Sequence, residues 1–237
     1  MRSIIDVHTH TIVSGHAYST LQENIEAACR HELKFLGVSD HAPAMPGGPH
    51  LFYFSNLKVI PKRINGVRIL KGCEVNIINF DGEIDLPERE LSMIDYAIAS
   101  LHPPCIDCGD IHENTRAVIK TMDIPQVKII GHPDDSRYPL DYKKVVAAAK
   151  EKNVLLEINN SSLSSGSFRE GARENITEML KECREQGVRV IMGSDAHASF
   201  DIGNFRNSEK LLKELNFPIE LVINYHEEEV EKFFNLG

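Results

Sequence analysis

Apolar residues along this chain fall into short runs of five to nine residues, each followed by a longer stretch in which they recur every three or four positions. The short runs are 3–8, 35–40, 67–75, 95–101, 127–131, 154–159 and 188–193, rich in Ile, Val and Leu on both parities. They read as strands buried on two faces. The stretches 20–34, 111–122, 141–152, 170–186, 207–215 and 226–235 read as amphipathic helices. Thr20 with Glu23 three residues later forms a capping box for the first of them.

Strands separated by helices of this length imply parallel βαβ units. Seven strands without a long linker, a low-complexity tract or a composition break predict one α/β domain over 1–237, a closed or nearly closed β/α barrel. An open doubly wound sheet is the competitor, but no Gly-rich dinucleotide or phosphate loop follows any strand. Residues 41–66 are rich in Pro and Gly with an aromatic cluster, a lid candidate; 79–87 carry Asp81-Gly82 between strand-like flanks, a hairpin signal.

With 42% hydrophobic and 26% charged residues and a net charge of −9, the chain has the composition of a soluble globular protein and no electrostatic footprint for nucleic acid. No run is long enough to cross a bilayer, and no signal-peptide stretch precedes Asp6 and His8. Five scattered cysteines predict free thiols and a cytoplasmic setting.

The eleven histidines change the picture. His8 and His10 sit two apart at the end of the first strand and so share a face. The second strand ends in His41, the third carries Glu74, the fourth runs into His102, the fifth into His132 and the seventh into Asp195 and His197, while His16 follows the first. In a parallel barrel these ends open onto one face. Chance is an adequate account of any one such histidine and a poor one for nine groups at matched positions. Three or four ligands per ion imply two or three divalent ions. Imidazoles with a few carboxylates and no thiolate suit zinc, with manganese or iron as alternatives. Three such ions against the charges of Glu74 and Asp195 leave a positive pocket that would attract phosphate.

The combination of H-x-H, S-D-H, G-H-P and S-D-x-H resembles the PHP (polymerase and histidinol phosphatase) superfamily, and "HAYST", "MPGGPH", "DGEID", "LEINNSS" and "GSDAH" resemble its YcdX-type phosphatases. The resemblance covers essentially the whole chain. It implies a distorted, TIM-like (β/α)7 barrel with a trinuclear centre, one ion on His8, His10, Glu74 and Asp195, a second on the bridging Glu74 with His102 and His132, and a third among His16, His41 and His197. It also implies a metal-dependent phosphoesterase in which a metal-bridged hydroxide attacks small phosphomonoesters, Glu74 and Asp195 being the catalytic carboxylates. The loop 103–112 diverges from the family pattern.

Variants of this reading are a histidinol-phosphate phosphatase, an amidohydrolase-type C–N hydrolase (which would use a lysine where Glu74 stands) and a catalytically silent metal-binding scaffold. A small phosphorylated substrate is the expected partner, with no nucleic acid and no membrane; a homo-oligomer is compatible with the pattern. His50 in the lid segment and Arg169 after the Ser-rich loop are candidate substrate-binding residues. Asp6 and Asp40 are candidates to orient imidazoles. The Cys105/Cys108 pair is expected to have no site role, and His31, His112 and His226 to be solvated.

Overall fold

Local rules act first. In the computed structural model, which describes residues 2–236, Thr20 caps α1 (Leu21–Arg30) and Glu23 returns the bond to the Thr20 backbone, so both halves of the capping box form. The helix stops short of residue 34 because Glu32 turns into the left-handed region (φ 53°) and the Leu33 N–H closes on the Ala28 carbonyl at 2.9 Å. Its buried face, including Ile25, Ala27 and Ala28, packs against Leu36 and Val38 of β2 (Phe35–Val38).

Seven parallel strands follow the order β1 (Ile5–Asp6), β2, β4 (Val67–Asn76), β5 (Tyr96–Ser100), β6 (Val127–Ile130), β7 (Leu155–Asn159) and β8 (Val190–Gly193). Short β3 (Arg63–Ile64) pairs antiparallel with β4. The expected helices appear as α1, α4 (Ile111–Thr121), α5 (Tyr142–Lys152), α6 (Ala172–Gln186), α7 (Arg206–Glu214) and α8 (Glu227–Phe233). Two short helices, α2 (Leu51–Asn56) and α3 (Glu88–Leu91), were not anticipated. The lid candidate at 41–66 therefore contains α2 and β3 as well as loop, and the hairpin at 79–87 forms around Gly82 (φ 79°) with Ile77 paired to Ile84.

Strand parity sorts the core. Tyr96 and Ile98 of β5 join Leu70, Ile129, Leu155 and Ile191 inside the barrel, while Ala97 and Ala99 face the helices. Tyr96 lies across the interior and donates to the Val7 carbonyl at 2.6 Å. Its hydroxyl fills the space that a Cβ at Gly37 would take, at 2.1 Å, and its ring that of a Cβ at Gly72, at 2.3 Å.

The barrel is nearly closed. Between β1 and β8 the ladder reduces to one bridge, Thr9 with Ala196. Lower down, Asn224 stands in for it: its amide donates to the Ile5 and Met192 carbonyls at 3.2 and 2.9 Å and accepts from the Met192 N–H at 2.7 Å. Asp6 fastens the same seam by accepting from the Ser194 and Gly203 N–H groups at 3.2 and 2.9 Å. It orients no imidazole, contrary to the expectation above, because the unpaired seam amides claim both its oxygens. Burial raises the Asp6 carboxyl to about 6. Among the described residues no helix is long and apolar enough to cross a membrane.

Candidate metal centre

Each parallel strand ends at the same rim, and the chain bends there to turn side chains inward. His132 and Asp195 take positive φ angles of 26° and 55°, conformations that cost a non-glycine residue about 1–3 kcal/mol and are kept only where the surroundings demand them. Glu74, fully buried on the inner face of β4, becomes the hub. Its Oε1 lies 3.3 Å from His8 Nε2, 3.3 Å from His102 Nε2 and 2.9 Å from His132 Nε2. Its Oε2 lies 3.5 Å from His10 Nε2 and 2.8 Å from His41 Nδ1.

Asp195 is the second hub, with Oδ1 3.5, 3.3 and 3.6 Å from His8 Nε2, His10 Nε2 and His197 Nδ1. Two ligands of one tetrahedral zinc stand about 3.4 Å apart, so these separations suit shared ions. His16 stacks within 5.0 Å of the His41 ring and 4.8 Å of His197, completing the nine. Ligand atoms converge within 4.8 Å in four overlapping sets, one of which joins His41 to Glu74 and His102; His16 belongs to none of the four.

The chemistry of the donors supports a cation. His8 Nε2, His10 Nε2, both His41 nitrogens and Glu74 Oε2 are buried and make no hydrogen bond. Orphaned atoms of this kind each cost about 1–3 kcal/mol. Opposing burial, the neighbouring His41, His8 and His102 hold Glu74 well below the usual carboxylate range. Asp195 is likewise held well below it, against burial, by His8, His10 and Arg169. Burial, with like charge on His41 and His197, pushes His10 well below the histidine range, and burial lowers His102 to about 4. Both imidazoles are thus kept neutral, the form a metal binds.

Outer contacts set the tautomers. His102 Nδ1 donates to Asn76 Oδ1 at 2.7 Å, which leaves its Nε2 lone pair turned inward. His8 Nδ1 meets Glu157 Oε1 at 2.7 Å, and Glu157 Oε2 also accepts the His132 backbone N–H at 2.7 Å. Despite burial, Glu157, Glu74 and Asp195 raise His8 well above its ordinary value. Gly193 is needed here because a Cβ would stand 1.9 Å from Glu157 Oε1.

Glu157, Asn76 and Ser100, whose hydroxyl donates to Glu74 Oε1 at 2.7 Å, went unnoticed in the sequence. The available signal was parity: Glu157 and Asn159 stand at i and i+2 of an apolar strand, as His8 and His10 do.

The remaining candidates separate clearly. Arg169 joins the centre: its terminal nitrogens reach Asp195 Oδ2 at 3.2 Å and Ser162 at 3.0 Å. With His16, His41, His102, His197 and Asp195 it lines a cavity of about 490 Å³. His50 does not join it. That residue caps α2 through the Phe52 N–H and lines a separate hollow with Lys58 and Arg89. Asp40 binds Thr11, Ser14 and Tyr53 and no imidazole directly; it reaches His10 only through the Ser14 hydroxyl.

His31 and His112 are exposed, whereas His226 is half-buried against the Ile219 carbonyl at 3.1 Å. All five cysteines are free, with Cys73 and Cys183 buried and Cys29 only partly so. Burial pushes the Cys105 thiol up to about 11, away from the reactive thiolate.

Comparison with known proteins gives the family and the fold. A family model described as PHP domain matches residues 6–233. A probable phosphatase of Clostridium acetobutylicum is 48% identical over 233 residues, covering 98% of this chain and 95% of that protein. One of Clostridium novyi is 49% identical over 230 residues, covering 97% and 93%. The solved histidinol phosphate phosphatase of Lactococcus lactis, complexed with zinc, L-histidinol and phosphate, superposes with a TM-score of 0.60. It covers 92% of this chain and 95% of its own at 16% identity, a likeness of fold.

Proposed function

Because the chain belongs to the PHP domain family, we propose that it hydrolyses small phosphomonoesters at three divalent ions, zinc foremost. That it is a phosphatase rests on relatives near half identity over almost their whole length. The observation that carries the finer reading is the Glu74 hub: five imidazole nitrogens lie 2.8–3.5 Å from one buried carboxylate, and several buried donors around it lack any hydrogen bond.

His8, His10, Glu74 and Asp195 would hold one ion, Glu74 with His102 and His132 a second, and His16, His41 and His197 a third. Bound divalent ions supply a water of lowered pKa and positive charge for the phosphoryl oxygens. The protein's own part is positioning. Asp195 divides its work, turning Oδ1 to the imidazoles and Oδ2 to Arg169. Arg169, held in this way, would meet a phosphoryl oxygen with its remaining N–H donors. The free cysteines suit a reducing, cytoplasmic setting.

The test is removal and return of metal. Stripping with a chelator should abolish hydrolysis of phenyl phosphate, and zinc or manganese should restore it. Full activity in protein shown by elemental analysis to be metal-free would overturn the reading.

A further inference from the structure

The cavity over the candidate metal centre is not polar throughout. Beyond the imidazoles, Asp195 and Arg169, its wall is Met45, Pro103, Pro104 and Phe168, with Ser161 the single added hydroxyl. Phe168 is 67% exposed, a large apolar surface left open beside a catalytic-type pocket.

The charged residues that line the cavity are already committed. Asp195 is the one carboxylate among the described lining residues, and it faces Arg169 and the imidazoles. Arg137 is paired with Asp135 at 3.0 Å. Both guanidinium groups also lie against the Phe168 ring, at 5.4 Å for Arg137 and 5.1 Å for Arg169.

From this wall, and resting on the phosphatase reading above, we propose that the alcohol part of the substrate is a neutral aromatic group rather than an ammonium-bearing or polyhydroxyl one. An ammonium would lose water beside two guanidinium groups and find no free carboxylate among the described lining residues. A polyol would bury hydroxyls with only Ser161 to meet them. An aromatic ring would instead cover Phe168, Met45 and the two prolines, gaining burial at no polar cost. The cavity volume of about 490 Å³ takes such a group together with the phosphate. The same wall argues against histidinol phosphate, whose alcohol carries an amine.

The experiment compares phenethyl phosphate, phosphoethanolamine and glycerol 3-phosphate as substrates of the zinc-loaded protein. All three are primary alkyl monoesters, so their leaving groups differ chiefly in shape and charge. The aromatic ester should show a kcat/KM about tenfold or more above the other two. By calorimetry, phenethylphosphonate, which cannot be hydrolysed, should bind about tenfold more tightly than aminoethylphosphonate.

Phe168→Ala should lower the aromatic-to-glycerol ratio about fivefold, and Phe168→Leu, which keeps an apolar surface, should retain most of it. Equal kcat/KM values for the three esters, or a preference for phosphoethanolamine, would overturn this proposal and leave the phosphatase reading standing. Hydrolysis of none of them by fully loaded protein would overturn both.

Discussion

At the N-terminal end of the barrel, Ile5, Leu155, Phe233 and Phe234 pack dry around Tyr96. At the C-terminal end, the same central position is taken by His8, His10, His41, His102, His132, Glu74 and Glu157, nearly all without solvent. The lower end gains free energy from burial alone, because apolar side chains need no partner. The rim bears a cost, because its carboxylates and imidazoles have surrendered water and several keep unsatisfied atoms. One fold thus pairs a stabilising end with an end whose buried polar groups are costly to keep. Cations are what would repay the rim.

Substitutions can separate the two ends. The largest effect should come from Glu74→Gln, which keeps the shape of the hub and removes its charge. Hydrolysis should fall by about a thousandfold or more, with loss of metal at more than one position measured by elemental analysis. Loss of a single ion would show that Glu74 is not shared.

Phe234→Ala, at the opposite end, removes a ring that meets Tyr96 at 5.6 Å. It should lower stability by about 3 kcal/mol in urea unfolding while the metal content per folded chain stays constant. A change in metal content would mean that the two ends are coupled.

The smallest effect falls to Glu157→Gln, which loses the charge behind His8 and His132 without touching the cavity. Zinc affinity, measured by competition with a chromophoric chelator, should drop about 10- to 100-fold. Unchanged affinity would reduce Glu157 to a packing role.

The division between the ends also explains what could be read in the sequence. Apolar runs on both parities reported the barrel, since helices outside and core inside demand Ile, Val and Leu on each face. Strand-end histidines reported the rim, since no core places imidazoles at matched positions. The residues that escaped notice act through contacts distant in the chain. Glu157 is separated from its partner His8 by 149 positions and Asn224 from Ile5 by 219, and a lone polar residue in a strand or loop does not announce which backbone it will meet. Asp6 and Asp40 adjoin histidines in sequence, which makes them candidates to orient imidazoles and names no partner. The seam amides and the Thr11, Ser14 and Tyr53 hydroxyls lay closer in space. Helices α2 and α3 are only six and four residues long, too short for a periodic signal.

The most direct measurement is the number of zinc ions bound per chain, obtained by titrating chelator-stripped protein and counting metal by elemental analysis while phosphatase activity is followed. Three ions per chain, with activity rising as the sites fill, is the expected result. A protein that binds no zinc, or that reaches full activity before any is bound, would contradict it.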